Sequence, residues 1–354
     1  MVAVDRARTT ECFFGPGEYL LHNIENIGET ELIFSTVEHL ESANAALPLD
    51  QNQDSYAHLF NPLTLREVTS AHRAWMSPMM QFAAAPDGDD VGTPLDWHLQ
   101  HLGSPAAAGV ALVMVEATAI DPVGRSRVYD VGLWNDRQTM AFRRIADFSA
   151  QGSVPGIQLV HAGRKGSTGR PWPDADRGPE TWGTVGASPL SFGRLPSPSE
   201  LSIDEVESIV QSFAASARRA AVAGFKVLKL HGGHGYPIHQ FLSPNSNIRT
   251  DRYGGSLENR MRFGLDVVRT VRQSWPAGLP LFFRASATDW LGSDTDDPRP
   301  GWTVDDTVEL ASRLKELGVD LMDVSSGRSA PHARIPRSPL GSARRSRSPP
   351  LQWE

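Results

Sequence analysis

Between residues 74 and 326 the chain alternates short apolar, β-prone runs with amphipathic helical stretches, and no other feature narrows its fold so far. The β-runs are Ala74–Met79, Val110–Ala117, Val154–Leu159, Phe225–Leu230, Leu281–Ser286 and Leu321–Val324. Val110–Ala117 is apolar almost throughout, the pattern of a parallel strand covered on both faces. Asp96-Trp97-His98 opens a helix that Gly109 stops, and Gln138–Gln151 is an amphipathic helix stopped by Gly152. Ser202-Ile203-Asp204-Glu205 is a capping box. The helix it opens carries Val206, Ile209, Val210, Phe213, Ala217 and Ala220 on one face and ends at Gly224. Leu257–Ser274 is a further helix, and Thr303 caps another that Gly318 ends. Strands alternating with helices make βαβ units and a parallel sheet. Six such units, with polar residues gathered after the strands, predict an α/β fold: an incomplete (β/α)8 TIM-type barrel read at its C-terminal face. A doubly wound sheet is the competitor, but no GxGxxG turn follows the first strand.

The fourth β-run leads into Lys229–Glu258, KLHGGHGYPIHQFLSPNSNIRTDRYGGSLE. His231, His234 and Tyr236 follow one another at the strand end, among glycines. Two imidazoles and a phenol can donate hydrogen bonds to one small polar group, and the phenol can also release a proton. The bland alternative is a pair of structural histidines and a core tyrosine. The whole run, with HGGHGY, FLSP, SN and RTDRYGGSLENR in order and at matching spacing, closely resembles the signature segment of the Old Yellow Enzyme family, the FMN-dependent ene-reductases. LFNPLTLREVTSAHRAWMSPMMQFAAA, from Leu59, resembles the start of the same barrel.

That resemblance implies roles for particular residues. Ser77, Pro78 and Met79 would lie along the flavin ring, and Ala117 would pack on it. Gln158 would bond its pyrimidine edge, and Arg284 would sit near N1 and O2, where a cation stabilises the reduced anion. His231 and His234 would bind the carbonyl oxygen of an α,β-unsaturated substrate, with His231 also beside the cofactor. Tyr236 would protonate the α-carbon. NADH or NADPH would be the reductant. Phe82 and Lys165 would border the substrate; Arg164 lies beside Lys165. The alternatives are a structural Gln158–Arg284 pair, and Met79 and Ala117 as plain core. In the thermophilic-like branch that PMMQF resembles, cysteine often stands where Met80 is and tyrosine where Phe82 is. Met80 cannot act as a thiolate, and Phe82 lacks a hydroxyl.

Residues 1–50 read as β-rich, with Glu18–His22 and Glu31–Val37 paired across Asn26–Glu29. They resemble the last strands of a cupin barrel. His22 alone cannot hold a metal, which needs about three or four ligands. Residues 51–58 form a polar linker, and residues 59–327 the partial FMN-binding barrel. Residues 328–354 carry six arginines and one acid among Ser and Pro, a composition expected to be disordered. In the family, two further βα units hold the FMN phosphate, so the expectation is a C-terminally truncated barrel. Net charge is −7, which argues against nucleic acid as partner. A single cysteine, Cys12, and no long apolar run predict an intracellular, cytoplasmic protein without a membrane span. The partner is then a small-molecule enone, and a homo-oligomer is compatible with the family. Two other readings stand beside the reductase: a non-catalytic remnant or scaffold, and a metal-dependent barrel hydrolase using His231, His234 and His239.

Overall fold

A computed structural model of the chain describes residues 59–170, 181–291 and 299–333, together with the backbone of Ile33–Phe34. Its strands are β1 (Ile33–Phe34), β2 (Leu63–Leu65), β3 (Val68–Ser70), β4 (Trp75–Met76), β5 (Leu112–Ala119), β6 (Val154–Val160), β7 (Val185–Gly186), β8 (Ser199–Glu200), β9 (Val227–Gly232), β10 (Leu281–Ser286) and β11 (Leu321–Ser325). Its helices are α1 (Asp96–Ala107), α2 (Asp136–Ser149), α3 (Ile203–Ala223), α4 (Pro237–Leu242), α5 (Leu257–Ser274) and α6 (Val304–Glu316). The main sheet runs β4-β5-β6-β9-β10-β11-β1, every pairing parallel. From β4 to β11, spatial order follows chain order without a reversal. A doubly wound sheet would reverse its order at a switch point. This is an incomplete α/β barrel, six strands wide among those with a helical layer.

The period of two along each strand divides the core. Leu228 and Leu230 of β9, Phe283 and Ala285 of β10, and Val113 and Val115 of β5 point outward into the main apolar cluster, against the buried faces of the helices. Val227, Phe282, Leu112, Met114 and Leu321 point inward and form a second cluster. Trp75 stacks on Phe282 across this interior, with ring centroids 5.8 Å apart. The antiparallel hairpin β2–β3, which the sequence reading did not anticipate, packs Leu63, Leu65 and Val68 beneath the inner cluster. Its turn residue Arg66 is bound to Asp320 at 2.7 Å and to the Ala277 carbonyl at 2.9 Å. The barrel floor is therefore closed.

Local chemistry explains the helices. Ser202 and Glu205 exchange capping bonds of 3.3 and 2.7 Å at the start of α3, and Gly224 closes the helix at φ 98°, a left-handed angle that suits glycine. Thr303 and Asp306 do the same for α6. Helix α5 and strand β10 lie at their expected bounds. The first barrel strand is shorter than expected, two residues in place of Ala74–Met79, because its pairing with β5 ends at Met76 opposite Val113. Strand Ile33–Phe34 pairs in parallel with Leu321–Met322; the hairpin and cupin-like reading of residues 1–50 otherwise lies outside the described residues, as do linker 51–58 and residues 334–354 of the tail.

The second half of the signature is structural. Arg249, buried, donates to the carbonyls of Ala187 at 3.0 Å and Leu201 at 2.6 Å and pairs with Asp251 at 2.5 Å. Asn247 bonds the carbonyls of Phe241 and Tyr253, both at 2.7 Å. The motif thus clamps the 186–201 loop onto α4. Arg249→Leu strands two buried carbonyls and a carboxylate, and is expected to lower unfolding free energy by about 3 kcal/mol. Urea denaturation checks this.

Candidate active site

Inward-facing residues of β6, β9, β10 and β11 rise in layers above the apolar floor. The first polar layer is Lys229, Arg284 and Asp323. Lys229 Nζ lies 2.6 Å from Asp323 Oδ2, and Arg284 Nε lies 3.6 Å from the same oxygen. The Lys229 and Arg284 cations hold the Asp323 carboxyl below its usual range against the opposing effect of burial, while burial lowers the Lys229 ammonium. One step further along each strand come His231 on β9 and Ser286 on β10; Arg284 is in register with His231.

The turn after β9 gathers the rest. His234 sits at φ 56°, uncommon for a non-glycine residue, with its amide donating to Ser286 Oγ at 2.8 Å. Two glycines are required here. A Cβ on Gly233 would come within 2.8 Å of the Ser286 nitrogen, and one on Gly235, at φ 72°, within 2.5 Å of the Arg328 carbonyl. His234 Nδ1 is 3.2 Å from His231 Nε2, and its Nε2 is 2.7 Å from Ser325 Oγ. The Gly233 amide donates to His231 Nδ1 at 3.3 Å, which leaves the His231 proton on Nε2. Tyr236 sets its ring edge-on to His231, with centroids 5.0 Å apart.

Burial and the nearby cations depress both histidines. His231 falls well below its ordinary value and His234 to about 3. Burial pushes Tyr236 up to about 12. The pair is therefore neutral, and each imidazole offers one N–H. Burying neutral histidines has a consequence for stability. Unfolded histidines take up protons near 6.5 and the folded pair does not, so its contribution is fully present above about 6.5 and is lost as pH falls towards 3. The expected slope is about 1.4 kcal/mol per pH unit for each histidine. Denaturant titrations from pH 7 to 4 on the chain and on His234→Asn measure it; the variant's slope should be shallower.

Lys165 lies at the mouth. Its Nζ donates to the carbonyls of His234 at 2.8 Å and Arg328 at 3.1 Å and stands 5.4 Å above the Tyr236 ring. Burial, with Arg328 and Arg164 nearby, brings it down to about 7. Arg164 is buried and donates to the Ser329 carbonyl at 2.8 Å. Ser77 lines the barrel interior, Met79 is exposed, and Ala117 is buried in register with Gln158. Phe82 has φ 52° and lies under the Arg127 guanidinium at 5.0 Å. His239 does not join the histidine pair. Its ring accepts from the Gly235 amide at 2.9 Å and faces buried Asp289 at 3.0 Å. Among the described residues no group of three or more His, Cys, Asp or Glu is placed to hold a metal ion, so the metallo-hydrolase reading has no constellation here.

Two of the buried polar atoms that have no hydrogen-bond partner among the described residues lie on the strands beside β9: Gln158 Oε1 on β6 and Arg284 Nε on β10, the latter within ion-pair distance of Asp323. An open acceptor and a cationic donor flanking the His231 strand fit the imide edge of a flavin ring, which presents both an N–H and carbonyl oxygens. The site also holds residues the sequence reading missed: Ser126, Arg127 and Asp130, from the loop after β5. That loop has no periodicity, and only its return onto the strand ends reveals them.

Parallel strands presenting a histidine pair, a phenol, a buried acceptor and a cationic donor at one strand-end suit a barrel oxidoreductase of the flavin-dependent class. Comparison agrees. Residues 58–347 match the NADH:flavin oxidoreductase / NADH oxidase family. An NADH:flavin oxidoreductase of Gibberella zeae is 41% identical over 289 residues, 78% of this chain and 69% of that protein. An NADPH dehydrogenase of Bacillus subtilis is 40% identical over 272 residues, 76% of this chain and 73% of the relative. Morphinone reductase superposes with a TM-score of 0.63 at 27% identity, covering 75% of this chain and 71% of that one. The chain belongs to the NADH:flavin oxidoreductase / NADH oxidase family, the Old Yellow Enzyme class of FMN-dependent NAD(P)H oxidoreductases. No helix among the described residues is long and apolar enough to cross a membrane.

Proposed function

We propose that the chain reduces the C=C bond of α,β-unsaturated carbonyl compounds. The observation that carries this reading is the trio of neutral His231, neutral His234 and protonated Tyr236 converging at one strand end. Gln158 and Arg284 would hold the imide edge of FMN, Ala117 would pack on its ring, and Ser77, Pro78 and Met79 would border it. Bound there, FMN supplies the hydride that NADH or NADPH delivers to it. The histidine N–H groups bind the substrate carbonyl oxygen. Ser325 and the partner histidine occupy them in its absence, so the substrate oxygen replaces those bonds. Hydrogen bonding at the carbonyl draws electron density from the alkene and makes its β-carbon electrophilic. Tyr236 releases its proton to the α-carbon. A phenol near 12 is a weak acid, yet an enolate carbon is basic enough to take its proton. Lys165 holds the 234 turn by its carbonyl, and Phe82 and the Lys165 stem border the substrate.

The test is direct. The full chain is purified, mixed with FMN and freed of excess; a retained flavin spectrum, bleached by NADPH and restored by 2-cyclohexenone with cyclohexanone as product, is the expected result. A folded chain that takes up no flavin would overturn the reading in favour of a non-catalytic scaffold. Flavin turnover that leaves the enone untouched would overturn the substrate assignment alone.

A further inference from the structure

The turn that carries His234 and Tyr236 bends through two consecutive left-handed residues, His234 at φ 56° and Gly235 at φ 72°. Such backbone persists only where its surroundings over-determine it. Here each of the four backbone polar groups of these two residues is held by a side chain. The His234 amide donates to Ser286 Oγ at 2.8 Å, and its carbonyl accepts from Lys165 Nζ at 2.8 Å. The Gly235 carbonyl accepts from Gln240 Nε2 at 2.8 Å, and its amide donates to His239 Nδ1 at 2.9 Å. Gln240 and His239 both belong to α4, the helix that starts directly after Tyr236.

His239 is itself held. Accepting the Gly235 amide leaves Nδ1 without a proton, so the ring proton is on Nε2. That nitrogen stands 3.0 Å from Asp289 Oδ1, and neither atom makes a hydrogen bond to any other described residue. Asp289, in the loop after β10, is fixed in turn. Its Oδ2 accepts from the Ser243 hydroxyl and from the Trp302 amide at 2.9 Å, and its own amide donates to the Trp302 carbonyl at 2.9 Å. His239, Asp289 and Ser243 are all buried. The imidazole therefore has one orientation, with Nδ1 aimed at the Gly235 amide.

We propose that His239, oriented by Asp289, is a positioning residue for enone reduction. Its Nδ1 lone pair holds the Gly235 amide and so fixes His234 and Tyr236, on either side of that glycine, at the places from which they meet one substrate. The inference rests on the reading that these two residues act on an enone; His239 itself touches no substrate. Without the Nδ1 acceptor the Gly235 amide loses its partner, and the turn relieves its left-handed backbone by rotating, which moves the imidazole and the phenol that flank it. A misplacement of about 1 Å in such groups costs about 10²-fold in rate. The Nε2 side of the ring serves stability instead, since it faces a buried carboxylate. The two tasks of one side chain are thus separable.

Three substitutions in the full chain separate them. In His239→Asn, Oδ1 falls near the place of Nδ1 and accepts the Gly235 amide, but nothing reaches Asp289. In His239→Gln, the longer amide reaches the place of Nε2 and leaves the Gly235 amide unmatched. His239→Leu loses both. Flavin-loaded protein is reduced with NADPH and mixed without oxygen with 2-cyclohexenone. The maximal rate of flavin reoxidation should fall about 10²-fold in His239→Leu and His239→Gln, with His239→Asn about tenfold or more above both. Urea midpoints should rank the other way, His239→Gln above His239→Asn. On the flavin-free chain, a nitrogen–nitrogen coupling across the Gly235 N–H···Nδ1 bond, read by nuclear magnetic resonance and lost in His239→Gln, is expected. Absence of that coupling, wild-type rates in His239→Leu and His239→Gln, or rates that follow the urea midpoints would overturn the positioning role alone. If Tyr236→Phe and His234→Asn leave reoxidation by the enone unchanged, the enone reading falls and the positioning role falls with it.

Discussion

Tyr236→Phe is expected to slow enone reduction by about 10²- to 10⁴-fold, the range that a positioned general acid contributes. In barrier terms this is about 3–5 kcal/mol. The loss should be confined to the half-reaction that protonates carbon, since the nicotinamide step transfers a hydride and needs no phenol. The substitution removes one oxygen from a ring that packs against His231 and lies below Lys165, so the cavity it leaves is small. Tyr236 stands near 12, so its own titration adds no limb to the rate profile at any working pH. Pre-steady-state mixing with NADPH and then with 2-cyclohexenone separates the two halves. Equal slowing of both would point to a damaged flavin site rather than a missing acid.

Lys229→Met should be the most damaging single change in the barrel interior. Removing one partner of a buried ion pair leaves the other uncompensated, at a cost of about 3–5 kcal/mol. Asp323 would keep only Arg284, at 3.6 Å, as a compensating cation. Arg284 would then be drawn further towards Asp323, away from the imide edge it is suited to meet. Weaker FMN retention and a lower flavin potential are therefore expected together with a lower unfolding midpoint. The double variant Lys229→Met with Asp323→Leu removes both charges and should recover most of the lost stability, because two apolar side chains need no counter-ion. If it is as unstable as the single variant, packing and not charge explains the loss. The wild-type pair also carries a pH signature. Asp323 lies below its unfolded value, so its contribution is present above about 4 and is lost as pH falls through its folded value.

Much of the barrel could be read directly from the chain. Helices α3, α5 and α6 and strands β10 and β11 stand where caps, glycines and apolar periodicity put them, within a residue or two. The reason is physical: capping and amphipathic periodicity are local, and six repeats of one local pattern admit few topologies. The histidine pair and phenol were also visible, because three chemically distinctive side chains fall within six residues. The hairpin β2–β3 was not, because its three-residue strands carry too short a pattern, and only the inner cluster they floor makes them strands. Helix α4 was likewise hidden in the FLSP motif, at six residues too short for a period to show.

What the sequence determined alone is the alternation of strand and helix, and the identity of the groups at the end of β9. It could not determine which distant groups meet there. Lys229 and Asp323 lie 94 residues apart and meet only in the folded sheet: Asp323 is in register with Arg284 and Arg284 with His231, two residues beyond Lys229, and the lysine side chain spans that offset to reach the carboxylate. Lys165 and Tyr236 meet because the turn after β6 carries the lysine over the phenol ring. Protonation was undecidable for the same reason. The same imidazole, carboxyl or phenol can be acid or base until burial and neighbouring charge fix its state, and both are properties of the packed barrel and not of the chain.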